Sequence, residues 1–287
     1  MLYYIRIMAT EFEQFMALQT SKSEATKKSY AGQYKKLVQL LRHNIADVSE
    51  KKTIEAIETY ASNPNQQSSL INIAILVRRM ENLPTDRLAN KRDKNKAVIE
   101  QRVKQVNSTL NLPSLTDLHD YLDYLYENGK YSDFIINYLM LELHVRNKDL
   151  VFKIVTRKKD MADKTKNYIW LDVRHKKALY VRNDYKTSQT YGEKRNQITD
   201  TRFITALKRV LACQKHHEDC GVIIQNPEHV GYYVMKSSYK NIGEGAYLKV
   251  IIDAHRTQGD MQKLTEIAAN RGTDVTTLLN SYETSKV

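Results

Sequence analysis

The sequence predicts a mainly α fold in two domains, with one small antiparallel β-sheet in the second. Three observations carry this expectation. Apolar residues recur at three- and four-residue spacing over most of the chain. Over Tyr168–Val173 and Ala178–Val181 that helical period gives way to short runs of strand-forming residues. A polar, basic stretch over residues 86–110 separates two regions of apolar patterning. The expected organisation is a helical domain over residues 10–85, a connector over 86–110 and a second domain over 111–287.

The first domain reads as a small helical bundle. A short helix is expected around Glu11–Leu18, and Ser21-Lys22-Ser23-Glu24 has the form of a capping box. The helix it opens carries Tyr30, Tyr34, Leu37 and Leu41 on one stripe. Ser49 begins another, with Ile54, Ile57 and Tyr60 on one face, and Asn63-Pro64-Asn65 reads as a turn. A third helix carries Leu70, Ile73, Val77 and Met80. Leu83-Pro84-Thr85 ends the bundle, and the connector, part of it helical, carries Arg87, Lys91, Arg92, Lys94, Lys96, Arg102 and Lys104.

In the second domain, Leu112-Pro113-Ser114 precedes a helix with Leu115, Leu118, Leu122 and Leu125 that stops at Gly129. Ser132 is the expected N-cap of the next helix, where Phe134, Ile135, Tyr138, Leu139 and Leu141 make the surface apolar almost all round. Such a helix belongs inside a core. Arg146 follows where the apolar run ends, with Asp149-Leu150 three residues later. An arginine there is either an ordinary exposed or ion-paired residue, or a holder of phosphate, to which it brings five fixed donors. A basic turn at Arg174–Lys177 separates the first two strands, and a third is expected near Arg195–Ile198 after a loop containing Gly192. Thr201 is the expected cap of a helix through Leu207 and Leu211. Helices are expected near Gly245–Gln258, Asp260–Asn270 and Asp274–Tyr282, divided by Gly259 and Gly272.

Composition narrows the function classes. Hydrophobic residues make up 41% and charged residues 27%, as in soluble globular chains. No apolar run is long enough to span a bilayer, and the first eight residues are too short and polar for a secretory signal. Two cysteines give no disulfide framework, so an intracellular reducing compartment is expected. The net charge is +12, and residues 151–215 alone hold 17 Lys/Arg against 6 Asp/Glu. A positive field so concentrated fits a polyanion, of which nucleic acid is the commonest.

Three stretches carry a resemblance. The first is Leu143-His144-Val145-Arg146-Asn147-Lys148-Asp149-Leu150, and the second is the segment Asp184–Arg195 around Tyr185-Lys186-Thr187. The third runs from Gly272 to Tyr282, a separation of ten. Together with the helical first domain and basic connector, they resemble the tyrosine recombinases, or phage-type integrases, over nearly the whole chain. The resemblance implies a two-domain clamp on double-stranded DNA and a source in a virus, phage or mobile element. It implies Arg146 as a phosphate-holding arginine, Lys186 on a β-hairpin as general acid, and Tyr282 as a nucleophile forming a 3′-phosphotyrosyl link. It implies no metal or other cofactor, because the covalent link keeps the bond energy. Self-association on DNA through the C-terminal segment is implied as well, with a place in the host cytoplasm or nucleus or in a virion. Arg87, Lys91, Arg92, Lys94, Arg174, Lys176, Lys177, Lys194 and Arg195 are the expected DNA-contacting cations.

The sequence departs from the family pattern at three positions. The family's His-x-x-Arg motif falls on Ala246-Tyr247-Leu248-Lys249, and the histidine after the last glycine falls on Thr273. Lys249 keeps the charge and loses the bidentate fork. Arg256, further along the same helix, is the alternative source of a second arginine. A catalytically lapsed recombinase fold, kept for DNA binding, architecture or virion assembly, is therefore the alternative to an active enzyme. Cys213, His216, His217 and Cys220 share one helical face if the helix is continuous. Four ligands on one straight helix make a poor tetrahedral zinc site. The expectation there is a helix end with a buried Cys213 and solvated histidines.

Overall fold

In the computed structural model of the chain, structure is described for residues 12, 13, 15–20, 22, 24–215 and 220–282, leaving aside the side chains of Ala25 and Ser108. Glu11, the serines of the expected Ser21–Glu24 box, and His216 and His217 lie outside these residues. The chain divides into two compact units, Met1–Val106 and Asn107–Val287.

The first unit is built on α1 (Glu24–Leu41), α2 (Glu50–Tyr60) and α3 (Pro64–Met80). Their stripes bury Tyr34, Leu37, Ile57, Leu70, Ile73 and Val77, whereas Tyr60 and Met80, at the helix ends, are exposed. Phe12 stacks on Tyr34 with ring centroids 4.2 Å apart. Ser49 caps α2 as expected. Asn63-Pro64-Asn65 is a helix start rather than a turn between helices. The Asn63 side chain accepts from the Asn65 N–H, and Pro64 occupies the first helical position, where its missing N–H costs nothing. The buried Arg78 closes the unit by donating to the carbonyls of Pro84 and Val48, both at 2.8 Å. The stretch expected as a connector forms one helix, α4 (Asp86–Thr109). Its residues to Val106 belong to the first unit, where Leu88 is buried in the core.

The second unit is organised around α6 (Tyr131–Leu143), whose residues from Phe134 to Leu141 are all buried. It packs against α5 (Leu115–Glu127), α8 (Thr201–Cys213), α9 (Val230–Ser237) and α10 (Glu244–Thr257). Each fully buried Leu, Ile or Phe in such a position contributes about 1.5–3 kcal/mol. The cap of α6 is Lys130 and not Ser132, which falls inside the first turn. Asp200 caps α8 in place of Thr201, its carboxylate accepting from the N–H groups of Arg202 and Phe203. Cys213, expected to be buried, is exposed at the end of α8. Helix α9, which the sequence did not suggest, is short. The described residues end in α11 (Met261–Arg271) and α12 (Val275–Tyr282).

The sheet has four strands in the order β1 (Phe152–Val155), β2 (Asn167–Asp172), β3 (Lys177–Arg182), β4 (Lys194–Ile198). It is mixed, not antiparallel. The pairs β2–β3 and β3–β4 are antiparallel as expected, but β1 runs parallel to β2, with Phe152 opposite Asn167. Four residues are too few to show a strand period, so β1 is defined by its partner. The link from β3 to β4 contains a short helix, α7 (Ser188–Tyr191).

Candidate functional site

The site begins where α6 stops. His144 takes a left-handed conformation (φ 54°), turning the chain so that Val145 is buried and Arg146 follows in extended form. The Arg146 backbone N–H donates to Asp149 Oδ2 at 3.2 Å, closing the turn Asn147–Leu150. That same oxygen accepts from Nη1 of Arg182, at the end of β3, also at 3.2 Å. Asp149 is 1% exposed, and burial raises its pKa above the ordinary carboxylate value, with Arg182 opposing. The Tyr180 hydroxyl donates to the Asp149 carbonyl. One buried carboxylate therefore fixes both the turn behind Arg146 and the sheet beside it. The Arg146 side chain is half-buried, and its Nη1 is buried without a hydrogen-bond partner among the described residues.

A second guanidinium lies in the same electrostatic neighbourhood. Arg271, the last residue of α11, is 2% exposed. Its Nη1 donates to the carbonyls of His144 (3.1 Å) and Val145 (3.3 Å), immediately before Arg146. Its Nη2 donates to Glu244 Oε1 and lies 3.4 Å from the Tyr282 hydroxyl. The guanidinium carbon is also 5.5 Å from the centre of the Tyr282 ring. Glu244, in the first turn of α10, accepts the Asn147 N–H through Oε2 at 3.2 Å. Burial lowers the pKa of Arg146 below the ordinary arginine value, and Arg271 lowers it further, while Asp149, Tyr282 and Glu244 act in the opposite sense. An added anion would act in that opposite sense too.

The segment carrying Lys186 meets this cluster at Gly272. Gly272 has φ 62°, and its N–H closes α11 by donating to the carbonyl of Ala269. A Cβ there would come within 2.2 Å of Thr187 Oγ1 and 3.3 Å of Tyr191 Cδ2, so any side chain at this position is both strained and crowded. The segment is anchored from both sides. Asn167 Oδ1 accepts the N–H groups of Asn183 (2.9 Å) and Asp184 (2.8 Å), and the buried Tyr185 donates to the Gly192 carbonyl at 2.8 Å. Lys186, between the buried Tyr185 and the half-buried Thr187, is exposed. It is thus one residue from the side chain that abuts the Arg271–Gly272 corner.

Not every residue singled out from the sequence reaches this cluster. Lys249 Nζ donates to Asn107 Oδ1 at 2.6 Å, and burial lowers its pKa, with Asp253 opposing. On α10 it lies about 140° around the axis from Glu244. Arg256 is about 18 Å along the same helix from Glu244. It lines a separate cavity of about 370 Å³ with Leu110, Pro113 and Val250. Ala246 and Thr273 are both half-buried, and neither supplies an imidazole. Lys194 donates to the carbonyls of Ala269 and Asn270, holding the end of α11. Burial lowers its pKa, with Arg182 and then Arg146 adding to the effect. Arg195 pairs with Glu193, Lys91 with Glu58 and Arg92 with Asp93. Arg87, Lys94, Arg174 and Lys176 are exposed, and Lys177 is half-buried.

Arg146, Arg271 and Tyr282 are therefore gathered at one place, with Lys186 on the adjoining loop. Two guanidinium groups beside a phenol can neutralise charge on a phosphate while the phenol oxygen attacks phosphorus. Sequence reasoning missed Arg271. A signal existed, because Leu264, Ile267, Ala268 and Arg271 fall on one helical stripe, which marks the arginine as buried. Among the described residues no group of three or more His, Cys, Asp or Glu could hold a metal ion, and no helix is long and apolar enough to cross a membrane. The chain matches no protein-family model, no curated protein and no solved structure.

Proposed function

We propose that the chain binds double-stranded DNA and breaks and rejoins it through a 3′-phosphotyrosyl intermediate, as tyrosine recombinases and integrases do. The observation that carries this is the Tyr282 hydroxyl, 3.4 Å from Nη2 of Arg271 and within the electrostatic reach of Arg146. Tyr282 Oη attacks the phosphorus and loses its proton to solvent. The bond from phosphorus to the 5′ oxygen breaks, and Lys186 protonates that oxygen as it leaves. Arg146 holds the non-bridging oxygens, where charge accumulates in the transition state. Attack by another 5′ hydroxyl reverses the step, so no external energy source is consumed. The 151–215 segment, with 17 basic and 6 acidic residues, supplies phosphate contacts along the duplex.

A recombinase-type fold kept for DNA binding or assembly, without strand cleavage, is the second reading. Lys249 favours it, because its amine is held by Asn107. A duplex carrying a nick next to the scissile phosphate decides between them, because loss of the short leaving strand traps even slow cleavage. The expected result is a covalent protein–DNA adduct with wild-type protein and none with Tyr282→Phe. DNA binding without an adduct selects the second reading, and absence of DNA binding at low salt removes the first reading and leaves only the assembly role of the second.

A further inference from the structure

We infer that Arg271, and not Lys249, is the second cation that contacts the reacting phosphate. The inference rests on Tyr282 as nucleophile and adds a residue that sequence spacing did not assign. Burying an arginine is costly unless its donors are used. Here Nη1 and Nη2 have protein acceptors or the Tyr282 hydroxyl, whereas Nε is buried with no partner among the described residues. Arg146, whose pKa the neighbouring Arg271 lowers, likewise has Nη1 buried and unpartnered among the described residues. Two neighbouring guanidinium groups, each with an unused buried donor, and a phenol within 3.4 Å of one of them suit a tetrahedral phosphate-type oxyanion. A phosphodiester is such a group.

Lys249 is poorly placed for that task. Its amine is committed to Asn107 Oδ1 at 2.6 Å, on a different face of α10 from Glu244. Glu244 instead serves Arg271 as a positioning residue. One carboxylate oxygen holds Nη2 and the other holds the Asn147 N–H, so the guanidinium is fixed to the turn that follows Arg146.

The test measures adduct formation on the nicked duplex at saturating DNA, together with stabilisation of the protein by inorganic phosphate against thermal unfolding. Arg271→Ala also removes the bonds to the His144 and Val145 carbonyls, so Arg271→Lys, with its fold checked by circular dichroism, is the deciding variant. The expected loss in adduct rate is about 100- to 1000-fold for Arg271→Lys, with DNA affinity nearly unchanged. Lys249→Ala should stay within about threefold of wild type, well short of a missing transition-state donor. Phosphate should stabilise wild type and Lys249→Ala, and fail to stabilise Arg271→Lys. The inference is overturned if Lys249→Ala loses the larger factor, or if phosphate protects Arg271→Lys as well as wild type. A wild type that forms no adduct yet shows the expected phosphate pattern refutes strand cleavage and leaves the Arg271 anion site standing. Absence of phosphate stabilisation in a wild type that does form adduct leaves the adduct rates to decide.

Discussion

Replacing Gly272 with alanine should be among the most damaging single changes in the second unit, for two separable reasons. The residue has φ 62°, where a side chain costs about 1–2 kcal/mol. The added Cβ would also sit 2.2 Å from Thr187 Oγ1, and relieving such overpacking costs about 1–3 kcal/mol more. Oγ1 is the main obstacle, because Tyr191 Cδ2 at 3.3 Å need give by only a few tenths of an ångström and Thr187 Cβ at 3.4 Å is in ordinary contact. The expected total is about 2–5 kcal/mol, measured by urea denaturation of the whole chain. A double-mutant cycle separates the parts. Thr187→Ala alone should be close to neutral, since Oγ1 is buried and unpartnered and its loss removes a desolvation penalty. In the Gly272→Ala, Thr187→Ala double variant the steric part should largely vanish, leaving the backbone part of about 1–2 kcal/mol. If Thr187→Ala gives no rescue, the two segments are not in the contact on which the placement of Lys186 depends. A cost below about 1 kcal/mol for Gly272→Ala alone would refute the reasoning outright.

Three further outcomes are expected. Burial lowers the pKa of His144 from 6.5 to about 3, with Lys263, His255 and Arg271 adding to the effect. Above pH 6.5 the residue is neutral folded or unfolded; below it the unfolded chain gains a proton that the folded chain refuses. Stability should therefore fall by about 1.4 kcal/mol per pH unit as pH drops from 6.5 toward 3. His144→Asn keeps a residue that tolerates φ 54°, and the difference between its pH profile and that of wild type isolates this proton. Asn137→Ala should cost about 2–4 kcal/mol in urea denaturation. It removes a side-chain donor from the Asp133 carbonyl, one of the two side-chain donors to the Ser237 carbonyl (Tyr121 is the other) and the acceptor of the Tyr247 hydroxyl. DNA affinity should fall steeply with salt, and if Arg174, Lys176 and Lys177 each contact a phosphate, changing all three to glutamine should flatten the log–log slope by about 2.7. An unchanged slope would place the contacts elsewhere.

The parts of the fold legible in the sequence were those where burial leaves a periodic trace. Phe134, Ile135, Tyr138, Leu139 and Leu141 marked α6 as central because a helix surrounded by other elements has no polar face. The β2–β3 pair was legible from its two apolar runs on either side of a basic turn. Strand β1 was not, because Phe152-Lys153-Ile154-Val155 is too short to have a period and owes its place to pairing with Asn167–Trp170. The helix caps were displaced by one or two residues at Lys130 and Asp200, where the sequence offered two adjacent capping residues or none that caps through its side chain. The polar, basic composition of residues 86–110 suggests a connector, whereas residues to Val106 belong to the first compact unit. That composition also concealed one 24-residue helix, because a helix with little apolar surface shows little periodicity.

The candidate site shows a different limit. Arg146 and Tyr282 stand out as residue types at particular spacings, but the same spacing points to Lys249 or Arg256 for the second cation. Spacing locates a functional residue only while the intervening elements keep one geometry. A guanidinium can reach the same point in space from another helix, and here the last turn of α11 brings Arg271 to the carbonyls that precede Arg146. The residue that distinguishes the two routes is Glu244. On a helix whose Lys249 pairs with Asn107, the useful side chain is at the first turn, where a carboxylate also complements the helix dipole and can hold Arg271 and the Asn147 N–H together. Glu244 leaves no periodic trace in the sequence, because its partners lie 27 and 97 positions away. What could be read in advance was the cost: an arginine on the buried stripe of α11 must find acceptors, and a sequence that buries one has built a place for it.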